Sequence, residues 1–269
     1  MKINEFIQKY RTVKKIIPGM TSSYCPYVIC KDRFKKTPVE MPKTDRQLEN
    51  AVWFRSFLAP NEQTHRGGFS FLCGAYPNMA NYESKAESFI FEEDQRFKCL
   101  PSYLNDRGYH TVYMQANDLT FMKQRRFLDI IGFHKTIGVE RFTKSERVNG
   151  WGPDDEYFFQ EAFDEIKKLD HQEKPFFITL LTTGTHHPYT NIPKDFMPSR
   201  SRGHEDLAYK FADYALSNLI EKLKKEKILE NTLIFLTSDE AHSLGNSSHI
   251  NNILSNNLIP FVIYGSNLS

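Results

Sequence analysis

Three short stretches carry residues that could act together on a substrate. The first is Thr64-His65-Arg66-Gly67-Gly68. Its hydroxyl precedes two glycines and the apolar run Phe69–Cys73, a pattern that predicts the start of a helix. At a helix start, backbone N–H groups and the positive dipole end stabilise a phosphate or an alkoxide. Arg66 could hold phosphate oxygens. The same residues also read as an ordinary threonine cap beside a surface arginine. The second stretch is Ser238-Asp239-Glu240-Ala241-His242, and the third is Thr182-Thr183-Gly184-Thr185-His186-His187-Pro188-Tyr189. Asp, Glu and His together suit Mn²⁺, Mg²⁺ or Zn²⁺. The alternative is an aspartate that caps a helix, with histidines on a surface loop.

What makes these stretches candidates is where they fall. Thr111–Met114, Phe176–Leu181, Leu233–Thr237 and Phe261–Tyr264 are near-continuous apolar runs, as expected of strands covered on both faces. Helical periods lie between them. Asp154 can cap a helix that carries Phe158, Ala162, Phe163, Ile166 and Leu169 on one side. Leu207, Phe211, Ala215, Leu219 and Leu223 recur every four residues along a longer one. Pro101 opens a short helix that ends before Gly108. This alternation predicts an α/β fold, three layers (α/β/α) around a mostly parallel sheet. Ligands of such sheets sit beyond the carboxyl ends of the strands, where the second and third stretches fall. Residues 1–45 are rich in Lys and Pro and form a poorly defined N-terminal segment; the regular domain spans 46–269.

Composition narrows the function classes. The 269 residues are 40% hydrophobic and 25% charged, enough apolar material for one large packed domain. The net charge of +2, with Lys and Arg spread along the chain, argues against a nucleic-acid partner. None of Cys25, Cys30, Cys73 and Cys99 forms a CxxC pair, so a zinc knuckle is not expected. Cys25 and Cys30 could bridge, Cys73 reads as a small core residue, and the cysteines leave the compartment open. No apolar run approaches the roughly 18–20 residues of a membrane span, and Met1 to Lys15 has no apolar signal core.

Taken in order, the motifs resemble one family. Thr64-His65-Arg66-Gly67-Gly68-Phe69, with Leu72-Cys73-Gly74 and Pro77, is similar to the nucleophile segment of the lipoteichoic-acid-synthase-like phosphoglycerol transferases, within the alkaline phosphatase/sulfatase superfamily. Leu104–Met114, Ile131-Gly132-Phe133, Trp151-Gly152-Pro153-Asp154-Asp155-Glu156, His186-His187-Pro188-Tyr189, Asp213-Tyr214-Ala215, Asn231–Ile234 and Pro260–Gly265 resemble further family segments. The likeness runs from about residue 48 to 266. It implies a metal-dependent phosphoryl-type transferase or phosphodiesterase with Thr64 as nucleophile and metal ligand, Asp239 as a metal ligand, and His186 and Trp151 in the substrate site. Arg66 is added to that site on chemical grounds. The implied cofactor is a divalent cation, Mn²⁺ or Mg²⁺ foremost, with Zn²⁺ or Ca²⁺ as alternatives. The implied partner is a phosphate-ester or glycerophospholipid-type substrate, and the implied location is extracytoplasmic and membrane-associated. Sulfate-ester hydrolysis is disfavoured, because the C-x-P-x-R motif of sulfatases is replaced by the threonine segment.

The chain departs from the family pattern in three ways. The family's Asp-His pair becomes Asp239-Glu240, with the imidazole displaced to His242 and Glu240 left to offer an oxygen. No apolar strand ending in an acid is evident before Thr64; Tyr27–Asp32 is a poor candidate. The family's C-terminal strands and histidine would follow Ser269. These departures set a second function class beside the transferase: a catalytically degenerate or truncated domain that acts only as a binding module.

Overall fold

The computed structural model describes residues 15–20 (as backbone), 41–54, 56–59, 63–77, 98–145, 148–196, 198, 203–240 and 257–265. The expectations placed on Cys25, Cys30, Tyr27–Asp32, Ala241 and His242 lie outside them.

The elements, in chain order, are β1 (Lys15–Met20), α1 (Pro42–Gln47), β2 (Val52–Trp53), α2 (Thr64–Cys73), α3 (Leu100–Asn105), β3 (His110–Gln115), α4 (Gln124–Ile130), β4 (Lys135–Ile137), β5 (Val148–Asn149), β6 (Gly152–Pro153), α5 (Asp155–Asp170), β7 (Phe176–Leu181), α6 (His204–Lys225), β8 (Thr232–Thr237) and β9 (Phe261–Tyr264). Short 3₁₀ turns link some of them. Seven strands form one sheet in the order β2-β9-β8-β1-β7-β3-β4, and β5 and β6 form a separate hairpin. β8, β1, β7, β3 and β4 run parallel, β9 lies antiparallel beside β8, and β2 pairs antiparallel with β9 at the edge.

β3 and β7 divide their side chains between two apolar layers, the period-2 consequence of the pleat. Val112, Met114, Phe176, Ile178 and Leu180 pack with α5 and α6 through Phe158, Ile166, Ala215 and Leu219. Tyr113, Phe177 and Leu181 pack with α2, α3 and α4 through Phe69, Leu72, Leu104 and Phe127. Apolar residues on both faces explain why the sequence shows runs without alternation. The three-layer arrangement expected from the sequence is therefore present.

Two features differ from the sequence reading. Residues 1–45, set apart there as an undefined segment, supply β1 to the middle of the sheet. Pro18 and Gly19 hide it, because proline cannot donate to a ladder and glycine weakens a strand. Cys73, expected as a plain core residue, is disulfide-bonded to Cys99. The bond ties the C-terminal end of α2 to the residue that opens α3, itself 1% exposed.

Buried aspartates fix the helices and loops around the sheet. Asp213, on α6, accepts from the Lys43 and Thr44 N–H groups at 3.1 and 2.7 Å, which holds the start of α1. Asp154 caps α5, accepting from Tyr157 N–H at 3.1 Å. Asp155, beside it, accepts from Gly184 N–H at 3.0 Å and so pins the loop after β7. A side chain on Gly184 would press into that carboxylate, a Cβ lying 2.4 Å from its oxygen.

Breaking the 26-residue link between Cys73 and Cys99 should cost roughly 3–4 kcal/mol through unfolded-state entropy, about 6–12 °C in Tm. Thermal melts with and without reductant, and of Cys73→Ser/Cys99→Ser, measure it; coincident melts would show that the link does not hold the fold. Asp155 makes a second prediction. Burial raises its pKa from 3.8 to about 7, with Asp154 adding to the rise and the Gly184 N–H opposing it. Between those values the folded state binds more protons, so the contribution is complete below about pH 3.8 and is lost as pH rises toward 7. Asp155→Asn removes the ionisation, so its stability relative to the parent should improve steadily from pH 4 to 7 and then level off. Parallel pH–stability curves would place the titration elsewhere.

Candidate active site

The strand register brings the functional loops to one edge. Met20 is level with Leu181 and with Thr237, and Gln115 is level with Leu181. Past this row the chain opens a cavity of ≈ 360 Å³. Gln63, Thr64 and His65 line it from the start of α2, and Asp239 and Glu240 from the end of β8. Leu181, Thr182, Thr183 and His186 follow β7, Gln115 and Asn117 end β3, Phe121, Met122 and Gln124 lead into α4, and Trp151 comes from the β5–β6 turn.

Thr64 and Asp239, far apart in sequence, meet here. The Thr64 hydroxyl and the Asp239 carboxylate share a side-chain hydrogen bond. Two local features allow it. A Cβ on Gly67 would lie 1.8 Å from the Asp239 carbonyl oxygen, so only glycine lets α2 rest on the end of β8. The Ser238 hydroxyl donates to the Glu240 carbonyl at 2.7 Å and closes the turn that carries Asp239 and Glu240. At the head of α2, Gln63 makes no side-chain cap and the first turn holds no acidic residue, so the positive end of the helix faces the cavity.

Asp239 is 4% exposed, and burial pushes its pKa up; the Thr64 hydrogen bond and nearby backbone N–H groups pull the other way, as does His186. Its Oδ1, the Oε1 of Gln63 and the Oγ1 of Thr183 are buried with no hydrogen-bond partner among the described residues. An oxygen donor set of this kind fits a hard divalent cation with Asp239, Thr64 and Glu240 as protein ligands. It does not fit the imidazole- and thiolate-rich sets preferred by zinc. No cluster of three or more His, Cys, Asp or Glu capable of holding a metal occurs among the described residues. β1, the strand from which the family resemblance implied an acidic ligand, is Lys-Ile-Ile-Pro-Gly-Met, and the first acid after it in sequence is Asp32.

Trp151 and His186 stand together, ring centroids 4.0 Å apart, with Phe121 edge-on to Trp151 at 6.0 Å. The Trp151 turn is held by Trp151 N–H donating to Asn149 Oδ1 at 2.8 Å and by Asn191 Nδ2 donating to the Gly152 carbonyl at 2.8 Å. His186 Nδ1 lies 2.6 Å from the His187 carbonyl, which can only accept, so that nitrogen carries the hydrogen and Nε2 is the atom available for proton exchange.

Of the sequence candidates, Thr64, Trp151, His186, Asp239 and Glu240 are thus brought together. Arg66 is not in the cavity wall: it is 3% exposed, and α2 presents Thr64 and His65 to the cavity instead. Sequence reasoning passed over Gln63, Gln115, Asn117, Phe121, Met122, Gln124 and Thr183. The post-strand position of Gln115 and Asn117 was a usable signal, though neither is ionisable. Met122 and Lys123 adopt left-handed φ of 53° and 57°, which nothing in their side chains announces.

Comparisons with known proteins bear on the family and the fold. Phosphoglycerol transferase I of Xanthomonas euvesicatoria pv. vesicatoria is 30% identical over 217 residues, covering 75% of this chain and 30% of that protein. A lipoteichoic acid synthase-like protein of Bacillus subtilis is 24% identical over 210 residues, covering 73% and 33%. The chain therefore spans about a third of the length of the curated relatives it matches. Among solved structures, an alkaline phosphatase superfamily protein from Vibrio parahaemolyticus superposes with TM-score 0.79 at 22% identity, covering 93% of this chain and 60% of that one. The lipoteichoic acid synthase LtaP from Listeria monocytogenes superposes with TM-score 0.76 at 19% identity, covering 95% and 66%. A family model described as Sulfatase matches residues 33–269, and the chain belongs to the sulfatase family, within the alkaline phosphatase-like fold.

Proposed function

We propose that this domain transfers a phosphoryl group from a phosphodiester of the phosphoglycerol type, through Thr64 and with the help of a divalent cation. The observation that carries the reading is the Thr64 hydroxyl at the open head of α2, hydrogen-bonded to the buried Asp239 carboxylate inside the cavity. The curated relatives named as phosphoglycerol transferase and lipoteichoic acid synthase-like support it.

A cation held by Asp239, Thr64 and Glu240 would supply positive charge for the phosphoryl oxygens and acidify the threonine hydroxyl. Asp239 orients that hydroxyl and accepts its hydrogen bond. Thr64 Oγ1 gives its proton to the Asp239 carboxylate and attacks phosphorus in line, forming the Thr64 O–P bond as the bond to the leaving alcohol breaks. The N-terminal end of α2 faces the non-bridging oxygens and favours their negative charge. His186 starts the cycle protonated on both ring nitrogens; Nδ1–H stays anchored on the His187 carbonyl, while Nε2 gives its proton to the leaving alcohol and takes one back from the accepting alcohol or water. The second alcohol then displaces the phosphoryl group from Thr64, whose oxygen recovers its proton from Asp239.

The Cys73–Cys99 disulfide supports an oxidising, extracytoplasmic setting for this chemistry. No helix among the described residues is long and apolar enough to cross a membrane. A second reading, ligand binding without turnover, draws on β1, which offers no carboxylate at the metal edge of the sheet.

Mn²⁺- or Mg²⁺-dependent hydrolysis of bis-p-nitrophenyl phosphate distinguishes the readings. Under the transfer reading Thr64→Ala lowers the rate by about 10³-fold or more. Parent-level activity in Thr64→Ala would exclude this nucleophile, and no metal uptake with no turnover in the parent would favour the binding reading. Glu240→His should shift metal preference toward Zn²⁺, raising its affinity by about ten-fold or more in calorimetry, because imidazole is a softer ligand than carboxylate. An unchanged Zn²⁺ affinity would place Glu240 outside the metal shell.

A further inference from the structure

The end of the sheet remote from the cavity carries two histidines that the transfer chemistry does not use. His110 begins β3, and His134 stands just before the edge strand β4. Their rings are stacked, with centroids 5.1 Å apart and planes 18° from parallel. Backbone bonds set them in place. His110 N–H donates to the Pro175 carbonyl at 2.8 Å, on the lead-in to β7, and His134 N–H donates to the Thr111 carbonyl at 3.0 Å.

The His134 ring also completes the backbone ladder. Lys135 is level with Val112, which leaves Thr111 one residue beyond the last paired rung of β3 and β4. The N–H of Thr111, a residue 0% exposed, donates to His134 Nδ1 at 3.2 Å. A backbone N–H can only donate, so Nδ1 presents its lone pair and carries no hydrogen. A proton on Nδ1 would face that N–H and leave a buried donor without an acceptor. His134 is exposed, so protons reach it from solvent.

The surrounding charges oppose protonation of the pair. Burial, the His134 ring, Lys135 and Lys174 hold the His110 pKa below the ordinary 6.5, while Glu165, from α5, pulls the other way. Glu165 is 3% exposed and already paired with Lys135, so it has little to offer a second or third cation. With a depressed pKa the folded edge binds fewer protons than the unfolded chain. Its contribution to stability is complete above about pH 6.5 and is lost as pH falls below that value. The strand at stake is weakly held: β4 has three residues and pairs with β3 alone. It also reaches the cavity. Val139, just past β4, donates its N–H to the carbonyl of Asn117, a cavity-wall residue, at 3.2 Å.

We infer that His110 and His134 are an acid-operated latch on β4: each takes a proton from solvent as pH falls, the Thr111 N–H loses its acceptor, and the edge strand parts from β3 while the interior of the sheet stays paired. Release of β4 withdraws a support from the Asn117 side of the cavity. The latch sits apart from Thr64 and Asp239, so it can hold whether or not the transfer chemistry does.

Hydrogen exchange of the full chain, read by mass spectrometry at about pH 7.5 and about pH 5.5 and corrected for the intrinsic pH dependence of exchange, tests it. A peptide containing Lys135–Ile137 should exchange at least about ten-fold faster at the lower pH, with Phe176–Leu181 unchanged. The readout is local because Asp155 shifts global stability in the opposite sense over this range. His134→Gln, whose side-chain oxygen can accept from the Thr111 N–H without titrating, should lose most of the rise. His110→Gln, which removes the stacked partner's charge, should lose part of it. Equal β4 exchange at the two pH values, a rise shared equally by Phe176–Leu181, or the full parental rise retained in either variant would each overturn the assignment.

Discussion

The site depends on one close approach: the head of α2 lies directly on the backbone at the end of β8. Gly67 makes this approach sterically available, since any side chain there would collide with the Asp239 carbonyl. The result is that a threonine hydroxyl and a carboxylate from opposite ends of the domain's sequence share one hydrogen bond, the carboxylate being 4% exposed. Burial makes the aspartate's charge costly, and among the described residues no lysine or arginine enters the cavity to offset it. A buried carboxylate in that condition holds its proton more firmly or attracts a cation. Both outcomes favour a hydroxyl held close to it.

The surrounding fold serves to keep that contact in register. The parallel strands end level, so the loops that follow them emerge on a single plane. Each loop is then anchored from below by a buried polar group: Asp155 holds the loop with His186, Ser238 closes the turn with Asp239, and Asn191 fastens the hairpin with Trp151. Such anchors matter more than loop sequence, because an unanchored loop does not hold a proton donor within reach of a substrate. The paired acids Asp154 and Asp155 show the division of labour at one helix start: the first satisfies the helix's own N–H groups, and the second reaches across to another element.

How much of this could be read from the sequence depended on whether a residue's type or its context carried the signal. The strands at Phe176–Leu181 and Phe261–Tyr264 were legible to the residue, because burial on both faces leaves an unbroken apolar run. The α5 cap at Asp154 and the long α6 were legible from side-chain chemistry and period. β1 was not, because Pro18-Gly19 contradicts local strand preference and only the parallel neighbours on both sides hold it in the sheet. Thr64, Asp239 and His186 stood out as reactive types past strand ends, whereas the amides of Gln115 and Gln124 have no reactivity to advertise. Arg66 shows the opposite case. Its charge suggested a phosphate ligand, but a helix turns each successive residue by about a quarter of a circle, and that rotation takes it out of the cavity wall.

The covalent strap between the far end of α2 and the residue that caps the start of α3 has a mechanical consequence for the reactive end. A short helix seated on a strand terminus could drift along its own axis, and a slip of one rise, about 1.5 Å, would be enough to part the two oxygens at its head. With its tail bolted to the lead-in of β3, the helix cannot slide alone. Any such movement must drag a strand of the sheet with it, so the stiffness of the whole sheet is lent to a single hydroxyl.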